Sequence, residues 1–156
     1  NYKLSDKAKS YITTSRYYLG GYNNNTPLTN EMYGYERGTL RYNTDRPLYW
    51  DGMVGLAYPS DLGYAAGNTC VIGIKLNDYK EGCYQKDWLF TTGINRGLMT
   101  PDSGTSENVA VDVYDGIIAL GPSNLSLEVH PSFYLTSNTL ITNGDGSIDN
   151  PYLIGL

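Results

Sequence analysis

The two cysteines, Cys70 and Cys83, constrain the fold of this chain more than any other feature of its sequence. A zinc site would need four ligands, usually in closely spaced pairs, and the only histidine, His130, lies far along the chain. The pair therefore predicts one disulfide, which would stabilise the fold by about 3 kcal/mol through loop closure. The alternative is two buried free thiols in a reducing compartment, but residues 71–82 between them are polar and disfavour burying both. A disulfide implies an oxidising compartment.

The composition favours a β-rich extracellular domain. The chain has 156 residues, which suits a single domain over 1–156 with a core of its own. It contains 16 tyrosines against 2 phenylalanines, and tyrosine suits strands and half-exposed surfaces. Because the net charge is −5 and no basic run occurs, nucleic acid is not an expected partner.

Residues 5–19 have the pattern of the principal helix. Ser5 is a suitable N-cap, Asp6 lies in the first turn, and Gly20-Gly21 ends the segment. One apolar stripe at helical spacing comprises Leu4, Ala8, Tyr11, Ile12, Ser15 and Leu19. We expect this helix to pack on a mainly antiparallel sheet, which makes the predicted fold class α+β.

The rest of the chain predicts short strands separated by turns. A helical turn capped by Ser60 and ended by Gly67 interrupts them, and Asp115-Gly116 is a hairpin turn signal. The predicted strands cover residues 31–38, 50–58, 87–92, 97–100, 109–114, 116–120 and 129–135, with a terminal pair in 139–156.

Several segments have a recognisable motif order, together with the two cysteines: YYLGGY at 17–22, YERGT at 35–39, WDGMVGLAYPSDLGYA at 50–65, DWLF at 87–90 and FYLTSNTLITNGDGSIDNPYLIG at 133–155. These segments resemble the globular domain of type IV pilin-like and minor-pilin surface proteins of Gram-positive gut bacteria. Two departures occur: His130-Pro131 stands where the family usually has Arg-Pro, and Leu98 replaces a usual tryptophan.

The resemblance implies a fold similar to C-type-lectin-like or sulfatase-modifying-factor-like domains. It also implies a non-enzymatic, extracellular, cell-surface subunit whose partners are other pilin subunits. The chain begins at Asn1 without an initiator methionine. We therefore expect an export or pilin helix, and part of the domain, to precede it, and that helix would supply any membrane contact. The alternative function is an adhesin or lectin-like module that binds a glycan or a host protein.

Clustered tyrosines in the first third of the chain are the candidate ligand surface. Aromatic faces stack on sugars, and neighbouring polar groups bond to hydroxyls. The alternative is ordinary packing of half-buried rings on a small β domain. We expect this surface and the loop between the cysteines to be exposed and variable. The tyrosines are Tyr22, Tyr33, Tyr35, Tyr42 and Tyr49.

No cofactor or catalytic centre is expected from the sequence. His130 is followed by Pro131, and no G-x-S-x-G segment accompanies it. The oxygen-rich side chains Asn143, Asp145 and Asp149 are spaced like calcium ligands, but the terminal glutamate of such loops is missing. The other interpretation of these three residues is a tight turn between strands.

Overall fold

The computed structural model describes residues 4–21, 28–38, 47–79, 82–83, 95–102, 108–113, 117–122, 124–147 and 149–155. Within these ranges the chain forms short helices and short strands. The helices are α1 (Asp6–Ser10), α2 (Thr29–Glu36), α3 (Pro59–Ala65) and α4 (Asn68–Ile72), with a 3₁₀ turn at Leu76–Asp78. The strands are β1 (Ser15–Tyr18), β2 (Tyr49–Gly52), β3 (Gly55–Leu56), β4 (Arg96–Pro101), β5 (Asn108–Val113), β6 (Ile117–Pro122), β7 (Pro131–Ser132), β8 (Leu140–Asn143) and β9 (Leu153–Gly155).

The strands pair in small antiparallel sheets. β1 pairs with β2, β3 with β7, and β8 with β9, while β5 lies between β4 and β6 in a three-stranded sheet. Helices and antiparallel strands together confirm the α+β class. The described strands form several sheets where one was predicted, because helices and turns separate short strands that find partners far apart in sequence.

The predicted principal helix over 5–19 is wrong, because α1 ends at Ser10. Ser5 caps it as predicted, with its Oγ accepting from the Ala8 N–H at 3.1 Å. Beyond α1 the backbone leaves the helix to bond with a distant segment: the Thr13 N–H donates to the Tyr134 carbonyl at 2.9 Å.

Strand β1 replaces the second half of the predicted helix. Its register with β2 places Tyr17 opposite Trp50, with ring centroids 5.5 Å apart. Arg16 donates two hydrogen bonds to Asp51, at 2.9 and 3.0 Å. Cross-strand pairs of this kind stabilise a sheet, and here they outweigh the local helical spacing.

The predicted strand at 31–38 is also wrong, since helix α2 occupies this segment. The Glu31 carboxylate accepts from the Leu28 N–H at 2.9 Å and so satisfies a backbone donor at the start of the helix. Met32 and Glu36, four residues apart, are both buried on one face. The alternation of Tyr33 and Tyr35 gave a strand-like pattern that this tertiary burial overrides.

The remaining predicted elements have mixed outcomes. Strands β5 and β6 confirm the predicted hairpin. Its turn at 114–116 and the strand predicted at 87–92 lie outside the described residues. The strand predicted at 97–100 is confirmed within β4, and the terminal pair is confirmed as β8 and β9. The strand expected at 50–58 divides into β2 and β3 at a bend, and 129–135 contains only the two-residue β7.

The core joins α2, α3, α4 and the 3₁₀ turn to β4 and β6. Its buried members are Met32, Leu62, Ala66, Cys70, Leu76, Tyr79, Cys83, Leu98 and Ile118. The prediction that the loop between the cysteines is exposed is therefore wrong for part of the loop. Leu76 and Tyr79 lie inside the core, and the Tyr79 hydroxyl donates to the Leu62 carbonyl at 2.5 Å. Ile72 and Lys75 of the same loop face solvent.

Gly63 allows α3 to approach α2 closely. A Cβ at this position would overlap the Thr29 side chain, with the Thr29 Cβ only 2.8 Å away. Thr29 is fully buried and its hydroxyl donates to the Cys70 carbonyl at 3.2 Å, so its side chain cannot move aside without breaking this bond. We expect Gly63→Ala to lower the free energy of unfolding by about 1–3 kcal/mol in urea titrations.

Gly97→Ala is the matched control for this prediction. A Cβ there would lie 3.4 Å from the nearest atom, in ordinary contact with Leu127. We expect this variant to stay within about 0.5 kcal/mol of the wild type. Equal stability of both alanine variants would contradict the proposed helix–helix contact.

Candidate functional site

The predicted disulfide between Cys70 and Cys83 is confirmed. The two Cα atoms lie 5.8 Å apart, and the bond ties α4 to the chain that follows the 3₁₀ turn. Both cysteines are buried, because Val71, Leu76 and Tyr79 turn inward beside them. A structural disulfide indicates folding in an oxidising, extracellular-type environment.

The candidate calcium residues form a hydrogen-bonded turn between β8 and β9. The Asn143 side-chain oxygen accepts from the Gly144 N–H at 2.8 Å, and the Asp145 carboxylate accepts from the Ser147 N–H at 2.9 Å. This second bond lowers the pKa of Asp145. Asp149 is exposed, and no group of three acidic, cysteine or histidine side chains within the described residues is placed to hold a metal. The geometry fits the tight turn.

The five candidate tyrosines do not form a common surface where the structure describes them. Tyr22 and Tyr42 lie outside the described residues. Tyr33 faces solvent on α2 and packs edge-on against Tyr64, whereas Tyr35 packs against the core, as helical geometry requires for residues two apart. Tyr49 is exposed on β2 beneath the guanidinium of Arg16, 3.7 Å from its ring centroid.

His130 contacts a carboxylate from its own segment. Its Nε2 lies 3.3 Å from the Glu128 carboxylate, and both groups are partly exposed. In the part of the chain that the structure describes, no hydrogen bond joins His130 to a serine or threonine hydroxyl. Both side chains lie at the surface, where a contact of this kind contributes little to stability.

An aromatic cleft of about 250 Å³ lies where β1, the end of α2, α3 and residues 132–134 meet. We call it the aromatic cleft. Its described lining residues are Tyr17, Arg37, Leu56, Tyr58, Asp61, Ser132, Phe133 and Tyr134. Four segments that are distant in sequence therefore contribute to one concave site.

An ion pair and two rings hold Arg37 in this cleft. Its Nη2 donates to the Asp61 carboxylate at 2.8 Å, and its guanidinium lies 4.8 and 4.5 Å from the ring centroids of Tyr33 and Tyr58. Burial lowers the pKa of Arg37, but the charge and hydrogen bond of Asp61, together with the charges of Tyr134 and Glu36, outweigh it and raise the pKa overall. The group stays cationic and its charge is balanced.

Tyr58 and Tyr17 form the buried wall of the cleft. The Tyr58 hydroxyl donates to the Tyr18 carbonyl at 3.1 Å, and the Tyr58 N–H donates to Asp61, which fixes the start of α3. Tyr17 is only 1% exposed, and its hydroxyl has no hydrogen-bond partner that meets standard geometry. Burial raises the pKa of both phenols, so they remain neutral hydrogen-bonding groups.

Sequence reasoning missed the aromatic cleft, because its residues share no spacing pattern. The lining residues come from four separate segments: Tyr17 from 17–22, Arg37 from 35–39, Leu56, Tyr58 and Asp61 from 50–65, and Phe133 and Tyr134 from 133–155.

A second surface is apolar and includes the C-terminal hairpin, which we define as β8 and β9. Ile141 pairs with Ile154 on one face, and all four aliphatic side chains are exposed: Leu140 60%, Ile141 60%, Leu153 55% and Ile154 39%. Ile154 also lines a groove of about 290 Å³ against α1, with Leu4, Tyr11 and Phe133. The Ile141–Ile154 face of the hairpin and the groove thus form one continuous apolar surface.

A buried carboxyl, Glu36, lies where α2, α3 and β4 meet. It accepts hydrogen bonds from the Ser60 N–H at 3.1 Å and from the Thr100 hydroxyl at 2.9 Å. Burial raises its pKa to about 8, the bonds from Ser60 and Thr100 oppose this shift, and the charge of Asp61 adds to it. Glu36 is therefore largely protonated at neutral pH in the folded protein.

No protein family model, curated protein or solved structure matches this chain. None of the helices in the described ranges has the length and apolar character needed to cross a bilayer. The fold and the bonded cysteines define the class as a disulfide-tied α+β domain, which bears an aromatic cleft and an apolar surface.

Proposed function

We propose that this protein is a non-enzymatic extracellular surface protein that serves as the head domain of a pilin-like filament subunit. The observation that carries the proposal is the exposed C-terminal hairpin. Ile141 and Ile154 project from the face that continues into the apolar groove, and Leu140 and Leu153 are exposed on the other face. Large contiguous apolar patches on soluble proteins mark contact sites.

The hairpin needs a neighbour for physical reasons. A two-stranded ribbon is marginally stable in water without a third strand or a packed face. Within the described residues neither β8 nor β9 pairs with any other strand, so each has a free edge. Pairing of the β8 edge of one copy with the β9 edge of the next would be a head-to-tail contact, and such contacts generate open filaments where the rotation does not close a ring. We therefore assign the apolar surface to contact with a neighbouring subunit.

Two further points support this function. The disulfide is typical of proteins that act outside the reducing cytosol. The motif segments resemble pilin-like surface proteins, and the expected cell-surface location and lectin-like fold form part of the same proposal. Other pilin subunits are its proposed partners.

We expect a lysine on the hairpin to weaken subunit contact. The wild-type protein should self-associate with rising concentration in sedimentation-velocity experiments. Ile141→Lys should raise the dissociation constant about tenfold or more, because a charge at a strand edge opposes edge pairing and apolar burial.

Ile72→Lys provides the matched control. Ile72 is 67% exposed on α4, compared with 60% for Ile141, and it does not line the apolar groove. This variant should associate like the wild type. A wild-type chain that stays monomeric throughout, or equal effects of the two lysines, would contradict assembly through the hairpin. Immunogold labelling should place the protein on surface filaments, and labelling confined to the cell interior would refute the surface role.

A second candidate function is an adhesin that binds a glycan or a host protein. The aromatic cleft favours it, since ring faces and an internal ion pair surround a concave space. Such a head domain could bind a ligand and still assemble into a filament, because the cleft and the hairpin use different residues; Phe133 is shared only between the cleft and the groove beside the hairpin.

A further inference from the structure

We propose that the aromatic cleft binds one neutral pyranose ring of a glycan. This inference rests on the adhesin candidate and assigns its ligand class and its residues. The size of the cleft is the first argument. Sites for drug-sized ligands span about 300–1,000 Å³, so a cleft of about 250 Å³ suits a smaller ligand such as a single sugar ring.

The charge of the cleft is the second argument. Arg37 and Asp61 are paired at 2.8 Å, so their charges cancel locally. An anionic or cationic ligand would compete with this pair, whereas hydroxyl groups can donate to the carboxylate and accept from the guanidinium at once. Asp61 remains 45% exposed in its side chain, which leaves carboxylate surface open to a ligand. A neutral polyol matches this pattern of paired donors and acceptors.

The aromatic rings are the third argument. Phe133 and Tyr134 line the cleft and are each 45% exposed, so their faces are accessible. The ring centroid of Tyr17 lies 5.9 Å from that of Tyr134 and 5.5 Å from that of Trp50. The exposed indole of Trp50 thus extends the aromatic wall. Such rings offer apolar faces to the C–H side of a sugar while the polar groups bind its hydroxyls.

The buried Tyr17 hydroxyl adds an independent observation. Its side chain lines the cleft and is 1% exposed, and its hydroxyl lies near the Gly55 backbone without a hydrogen bond of standard geometry. Incompletely bonded buried polar groups are rare in native proteins and often belong to functional sites.

The test is a two-dimensional ¹H–¹⁵N NMR titration of the intact chain with methyl glycosides of glucose, galactose, mannose and N-acetylglucosamine. At least one should produce saturable shifts that centre on Leu56, Tyr58 and residues 132–134. Methyl glucuronoside and a proline-rich peptide are the charged and peptide comparisons, and both should bind more weakly.

Two variants locate the site. Tyr134→Ala should weaken glycoside binding about tenfold, because it removes an exposed ring. Tyr64→Ala, at 47% exposure on α3 and outside the cleft, should bind like the wild type. Asp61→Asn keeps an acceptor for the Tyr58 N–H but leaves Arg37 unneutralised, so it should bind the glucuronoside more tightly and the neutral glycoside less tightly.

Three outcomes would overturn the proposal. Saturable shifts that map away from the cleft would leave the adhesin candidate standing and refute this site. Stronger binding of the peptide or glucuronoside by the wild type would refute the ligand class. Absence of binding by all four neutral glycosides would refute the site and its ligand, without bearing on filament assembly, which the sedimentation experiments measure separately.

Discussion

Replacing Cys70 and Cys83 together by alanine is expected to lower the free energy of unfolding by about 3 kcal/mol or more. The disulfide closes a loop of sequence separation 13, and opening that loop returns about this much entropy to the unfolded chain. Both sulfur atoms also lie in the core beside Leu76 and Tyr79, so their removal leaves unfilled space. For a chain of this length, the midpoint of thermal unfolding should fall by about 6–12 °C.

Reduction of the wild-type protein is the control for the disulfide prediction. Reduction should reproduce most of the decrease in the free energy of unfolding, because it opens the same loop without removing the sulfur atoms. Intact mass after alkylation should show no modified thiol in the native protein and two after reduction. Two alkylated thiols without reduction, or a double variant as stable as the wild type, would contradict the assignment.

The stability of the protein is expected to fall as the pH rises from about 5 to 8, because of Glu36. Its pKa in the folded state is about 8, raised from an ordinary value of 4.5 by burial. Below pH 4.5 the carboxyl is protonated in both states, and no penalty arises. Between pH 4.5 and pH 8 the Glu36 carboxyl ionises readily only in the unfolded chain, so rising pH favours unfolding. The full penalty, reached above pH 8, is on the order of 5 kcal/mol.

Glu36→Gln should remove most of this pH dependence. The amide oxygen can accept from the Ser60 N–H, and the amide nitrogen can donate to the Thr100 hydroxyl, so both bonds survive without a charge. Urea titrations at pH 5 and pH 8 measure the effect, with Glu31→Gln, exposed on the same helix, as control. If the Glu36→Gln variant loses as much stability as the wild type over this range, another group is responsible.

Local patterns were sufficient for the elements whose stabilising contacts are close in sequence. Ser5 caps α1 through Ala8, three residues away. The β5–β6 and β8–β9 hairpins pair strands joined by short turns, so their alternation and turn residues predicted them. The cysteine pair was predicted because this chain offers each cysteine no other partner.

Distant contacts decided the segments that were predicted wrongly. Residues 15–18 have helical spacing, but Arg16 and Tyr17 gain an ion pair and a ring contact only with residues 50–51, which no local period reveals. In α2, the burial of Met32 and Glu36 against α3 and β4 overrides the alternation that suggested a strand. Local propensity differences of a few tenths of a kcal/mol are smaller than such packing energies.

The sequence by itself determined the α+β class, the disulfide and the two hairpins. The tertiary structure alone decided the aromatic cleft, since Tyr17, Arg37, Asp61 and Tyr134 come from four separate segments. It also decided that Leu76 and Tyr79 of the loop between the cysteines belong to the core, because they find apolar partners on α3 and β6. The physical reason is common to both: burial depends on which surfaces meet, and a linear pattern shows only which surfaces are apolar.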